Sequence, residues 1–156
     1  LKILFPFSSD LAIHSVPPDP ESMLANHSAA LIIGDRAFTL GDFDSSVTVY
    51  DLSEEWFRQT GRTFVHAVVA VRDEVCLDET QKNFIQKAKL EGCGRIKEIV
   101  RVYNGLSGID PSVLEDYLKE KIKYDLNEEA MDGLTYFSNL CYEHGIIPNK
   151  ISAQFI

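Results

Sequence analysis

Chemistry has its first opening in this sequence at Gly34-Asp35, which ends the apolar run Ala-Ala-Leu-Ile-Ile starting at residue 29. An apolar run that stops at a glycine reads as a strand buried on both faces, its C-terminal end opening into a loop. Ligands of open α/β sheets lie just outside such ends. Gly34 lets the backbone turn tightly or approach a ligand closely, and Asp35 is a loop carboxylate able to orient a substrate hydroxyl. The same carboxylate can instead cap its own turn, which requires no ligand. The second opening is His66, inside Phe-Val-His-Ala-Val-Val-Ala-Val at residues 64–71, the strongest strand pattern of the chain. Buried in a sheet it is a core histidine with a hydrogen-bond partner; at a strand end facing a cleft it can bond an anionic substrate.

Other catalytic patterns are missing. The sequence has no phosphate-binding glycine loop, no Gly-x-Ser-x-Gly elbow and no paired-histidine zinc motif. His14, His27, His66 and His144 are scattered without ligand spacing, so neither a metal site nor a catalytic base is assigned. Cys76, Cys93 and Cys141 are odd in number and far apart, which suits neither zinc nor a disulfide framework. They read as free thiols of a reducing cytoplasm. Glu54-Glu55 and Glu128-Glu129 read as helix N-terminal charges held by the macrodipole rather than as acid/base pairs. A net charge of −9 argues against a grip on nucleic acid or an anionic membrane surface, but leaves room for a local basic pocket. No apolar run approaches the ~20 residues of a spanning helix. Residues 1–7 lack the basic region and cleavage site of a signal peptide.

The elements that must hold Gly34, Asp35 and His66 follow from caps and periodicity. Residues 1–7 are a strand or a helix tail. Residues 13–16, 29–33, 47–50 and 64–71 are strand candidates. Asp19 caps a short helix with Pro20 at its first position. Residues 38–48 are polar and form a loop. Asp51, with Glu54 three residues on, opens a helix whose apolar face carries Trp56 and Phe57 and which Gly61 closes. Asp78 and Gln81 cap a helix that runs to about Tyr103 with a break at Gly92-Cys93-Gly94. Asp110-Pro111 starts a helix bearing Val113, Leu114, Tyr117, Leu118 and Ile122. Asn127 caps another, with Met131, Leu134, Phe137, Leu140 and Cys141 on one side and Gly145 at its end. Residues 150–156 form an extended tail. Composition shifts near Asp73 from a strand-bearing half to a helical one.

Several words of this sequence, in order, resemble the menaquinone-biosynthesis family of the futalosine route, in its chorismate dehydratase branch. They are residues 29–35, Tyr50-Asp51-Leu52-x-Glu54-Glu55-Trp56, Thr60-Gly61-x-x-Phe64-Val65-x-Ala67 and Gly108-Ile109-Asp110-Pro111. Tyr117-Leu118, Ile122-Lys123-Tyr124-Asp125-Leu126-x-Glu128-Glu129 and Glu143-His144-Gly145-Ile146-Ile147-Pro148 complete the series. The resemblance covers nearly the whole chain from about Pro17. It implies an α/β fold like type II periplasmic binding proteins, with two lobes around a cleft. Of that fold this chain is an incomplete copy lacking the N-terminal portion, or a shortened relative, with a helical C-terminal half. Residues 1–72 would belong to the second lobe and end in a crossover strand; residues 73–156 would pack back on the first lobe.

The activity implied is dehydration of chorismate to 3-[(1-carboxyvinyl)oxy]benzoate, by a cytoplasmic lyase with no cofactor and chorismate as its small anionic partner. Nucleic acid and membrane are not partners in this reading. Gly34, Asp35 and the Phe64 region with His66 match cleft-side words of the family and are the implied substrate-binding residues. The polar residues of the family's chemistry lie upstream of Leu1, so the chain alone is expected to be inactive. Thr63, His66 and Val69 depart from the family's proline, aromatic and tryptophan. The lyase forming 1,4-dihydroxy-6-naphthoate and a non-catalytic carboxylate-binding protein of the same fold are the alternatives.

Overall fold

Most helices begin where the sequence supplies a side-chain oxygen for their first N–H groups, at Asp19, Asp51, Asp78, Asp110 and Asn127. The computed structural model describes residues 1–5, 11–41, 43–72 and 74–151. The expectations placed on Pro6, Phe7, Asp42, Asp73 and the tail from 152 lie outside them. Two units arise, each from separated stretches. One comprises Leu1–His14, Asp44–Ala70 and Asp125–Ile156; the other comprises Ser15–Phe43 and Val71–Tyr124.

The helices of the second unit are α1 (Pro20–Asn26), α2 (Asp35–Phe38), α4 (Glu79–Gly94), α5 (Ile96–Ser107) and α6 (Pro111–Asp116), with a π turn at Tyr117–Lys121. Asp19 caps α1 by accepting from the Ser22 N–H at 3.2 Å. Asp78 and Gln81 form a reciprocal capping box on α4, at 2.8 and 3.0 Å. The break that the glycine pair predicts falls at Arg95, between α4 and α5. Ile96 and Val100 lie one turn apart on α5 and meet Ile109 and Leu114, with Phe38 and Leu118 packed alongside. Asn104 holds the corner by donating to the Ile109 carbonyl at 2.6 Å. α4 itself buries no residue.

The first unit holds α3 (Leu52–Thr60) and α7 (Glu128–Glu143). Asp51 accepts from the Ser53 and Glu54 N–H groups at 2.7 and 3.0 Å, and Gly61 closes α3 at φ 66°. Trp56, 1% exposed, is the centre. Its ring meets Phe64 and Phe137 at 5.6 Å each, close to edge-on, and Tyr136 at 6.0 Å. Such pairs contribute about 0.5–1.5 kcal/mol each beyond area burial. Phe57, expected beside Trp56, is instead exposed, because it lies one position round the helix from the buried stripe.

The strand expectations differ from the structure. Residues 13–16, 29–33, 47–50 and 64–71 take part in no sheet ladder among the described residues. Ile33 and Val69 are 77% and 76% exposed. A strand's hydrogen bonds come from its neighbours, so an apolar, β-branched run stays unpaired where no neighbour is supplied. Residues 1–5 form one turn, closed by the Phe5 N–H on the Leu1 carbonyl at 2.8 Å. α2 was not expected; it begins at the Asp35 assigned to a loop.

The interior of unit one turns on a glycine. A Cβ on Gly133 of α7 would fall onto the Thr63 carbonyl, and backbone cannot swing aside as a side chain would. Gly133→Ala is expected to lower stability by about 1–3 kcal/mol through overpacking. Gly92→Ala, in α4 with open space around it, is expected to add up to about 1 kcal/mol from helix propensity. Denaturant unfolding of both variants measures the difference in sign.

Candidate functional site

The four expected residues fall into two groups, one in each unit. Gly34 and Asp35 stand at the start of α2. Gly34 has φ 69° and ψ −151°, a backbone region essentially restricted to glycine. A Cβ there would touch nothing within 4 Å, so the requirement comes from the backbone turn alone and not from crowding. The turn carries the chain from the exposed apolar residues 29–33 into α2. The Asp35 carboxylate does not cap its own turn. It accepts a 2.7 Å hydrogen bond from the Tyr103 hydroxyl on α5. That bond raises the Tyr103 phenol above its ordinary range, with burial and the Asp35 charge adding in the same direction. Tyr103 had no signal in the sequence as a partner, since it lies 68 residues from Asp35.

Phe64 and His66 stand together in the other unit, their rings 5.1 Å apart and nearly perpendicular. Phe64 is anchored on Trp56 and Phe137; His66 is exposed. The expected core histidine is therefore a surface one, because the segment around it has no sheet to bury it. Its Nε2 is 2.8 Å from the Ser53 hydroxyl, near the start of α3. Which of the two donates follows from the tautomer. Whichever donates, the neutral pair keeps one further hydrogen, the Ser53 O–H or the His66 Nδ1–H, to give to an anion, and among the described residues no carboxylate orients the imidazole as a triad would. Ser53 escaped the sequence reading because its position after the Asp51 cap explains it locally.

Thr63 and Arg62 fix this corner. The Thr63 hydroxyl donates to Glu129 at 2.5 Å, while Arg62 pairs with Asp132 and stacks 4.5 Å from the Tyr136 ring centre. Among the described residues, no group of three or more His, Cys, Asp or Glu side chains is placed to hold a metal ion. Burial raises the Cys141 thiol, while Cys76 and Cys93 are exposed. No helix of the described residues is long and apolar enough to cross a membrane.

Comparison with known proteins puts a family to these features. The sequence pattern of the menaquinone biosynthesis family matches residues 1–143. A chorismate dehydratase of Thermus thermophilus is 30% identical over 131 residues, which cover 74% of this chain and 48% of the relative. The chain thus spans about half the length of that relative. No solved structure gives a significant match.

The Asp35–Tyr103 bond makes a prediction about pH. A phenol with a raised pKa stabilises the fold in its neutral form. That stabilisation is full below the unfolded value of about 10 and is lost as pH rises through the folded value. Asp35→Asn is expected to move the Tyr103 ionisation down. It is read as the ultraviolet phenolate difference between each protein and its Tyr103→Phe counterpart. Gly34→Ala is expected to cost about 1–3 kcal/mol in stability from backbone strain alone.

Proposed function

Because this chain belongs to the menaquinone biosynthesis family, we propose that the protein carrying it dehydrates chorismate to 3-[(1-carboxyvinyl)oxy]benzoate, as a cytoplasmic lyase of the futalosine route. The observation that carries this reading is the identity shared with a chorismate dehydratase along 131 residues. The overall reaction removes one ring proton and the neighbouring hydroxyl as water, and the ring becomes aromatic. With aromatisation as driving force, the protein has chiefly to hold a dianion in a reactive geometry and keep bulk water away.

The fold proposed for the whole protein is the two-lobed α/β clamshell of type II periplasmic binding proteins. Residues 29–33 and 64–71 are its strands, paired with sequence beyond this chain. Their unpaired, exposed apolar side chains support that assignment. Residues 1–72 are then part of the second lobe, and residues 73–156 pack back toward the first. Gly34 shapes a loop at one strand end, where Asp35, steadied by Tyr103, meets a substrate hydroxyl. Phe64 offers an apolar ring face, and His66 with Ser53 offers a polar hydrogen to a carboxylate. The substrate is a small anion and no cofactor takes part.

Chorismate added to the full natural protein is expected to yield the aromatic enol ether, separated by chromatography. Asp35→Asn is expected to lower kcat/KM about tenfold to a hundredfold, equivalent to about 1.4–2.7 kcal/mol of transition-state stabilisation. Tight binding of a small acid without product would point to a carboxylate-binding protein on the same fold. Product from a naphthoate precursor in place of chorismate would point to the later lyase.

A further inference from the structure

The turn Pro18-Asp19-Pro20 and the end of α2 border an open pocket of about 350 Å³ lined by Pro18, Asp19, Pro20, Arg36, Thr39 and Leu40. Its volume lies at the lower end of the ~300–1,000 Å³ usual for small-molecule sites. Arg36 is the one cation in this lining. Its guanidinium has no hydrogen bond or ion pair among the described residues. The acidic groups nearby are otherwise engaged. Asp19 accepts from the Ser22 N–H at 3.2 Å, and Asp35, next to Arg36 in sequence, accepts from Tyr103 at 2.7 Å. The Thr39 hydroxyl donates to the Arg36 carbonyl at 3.2 Å, which ties down the backbone while leaving the side chain free. Two proline rings make one wall, so that little backbone freedom remains to be lost on binding.

We propose that Arg36 is a carboxylate-binding residue and that this pocket takes one carboxylate of a small organic acid. A planar guanidinium matches a planar carboxylate with two parallel hydrogen bonds, each charge-assisted. Asp19 in the same lining repels a phosphate dianion more than a singly charged carboxylate, which sets the charge class. Pro18, Pro20 and Leu40 give the apolar surface for the carbon frame of the acid. The inference deepens the dehydratase reading and rests on it for the identity of that acid; the anion class rests on the pocket itself.

The test is isothermal titration of the full natural protein with chorismate, benzoate and inorganic phosphate. Chorismate and benzoate are expected to bind, with phosphate much weaker. Arg36→Gln is expected to weaken both carboxylates at least tenfold, and Arg36→Lys by less, since it keeps the charge and loses the fork. Arg101→Gln, the same charge change on the exposed side of α5, is expected to leave binding within twofold. Thermal unfolding of each variant checks that the fold survives. Equal affinities in wild type and Arg36→Gln, equal losses in Arg36→Gln and Arg101→Gln, a preference for phosphate, or no carboxylate binding by wild type would each overturn the proposal. Turnover separates it from the reading it rests on. Chorismate bound through Arg36 but never dehydrated sinks the dehydratase and leaves the anchor; dehydration indifferent to Arg36→Gln does the reverse.

Discussion

A backbone carbonyl seated on a bare helix position organises the unit that holds His66. Gly133 leaves no Cβ, so the Thr63 carbonyl lies against α7. Three consecutive residues are thereby laid along one stripe of that helix. Arg62 meets Asp132 and Tyr136, Thr63 meets Glu129, and Phe64 meets Phe137. Counted from Glu129, the other α7 positions lie three, seven and eight residues on, the repeat of a single helix face. Phe64, thus fixed, closes the aromatic group around Trp56, and that group in turn seats α3. The Ser53–His66 bond needs both ends held: Ser53 by α3 and His66 by the segment leaving Phe64. Thr63 has a local role there, since its hydroxyl serves Glu129.

The other unit is built on a different device. Its apolar centre is small, four buried residues from α5, α6 and the turn between them. The Gly34 turn is not part of that centre. It is linked to the helical scaffold through the Tyr103 hydroxyl on Asp35 and through Phe38 at the other end of α2, which packs against that centre.

Much of this arrangement was legible in the sequence wherever the signal was local. Asp19, Asp51, Asp78, Asp110 and Asn127 all act as helix caps, and each lies a few residues from the N–H groups it satisfies. Gly61 ends α3 as a left-handed cap, and the glycine pair before Arg95 weakens the end of α4 through its low helix propensity. The partners of the candidate site were not legible, because they lie far off in sequence. Nothing near Asp35 points to Tyr103, and nothing near His66 requires Ser53. The strand patterns are a third case. The β-branched run at 64–71 is a real preference, but a preference becomes a sheet only with a partner, and the described residues form no ladder. Arg36 was passed over because a lone surface cation is ordinary until a pocket is seen around it.

The central claim is that the stretch ending in Gly34-Asp35 meets a small acid in the full protein. Amide hydrogen exchange with and without chorismate tests this most directly. Slowing at residues 29–36 when chorismate is present is the result the account predicts. Unchanged exchange there, with slowing elsewhere or nowhere, would contradict it.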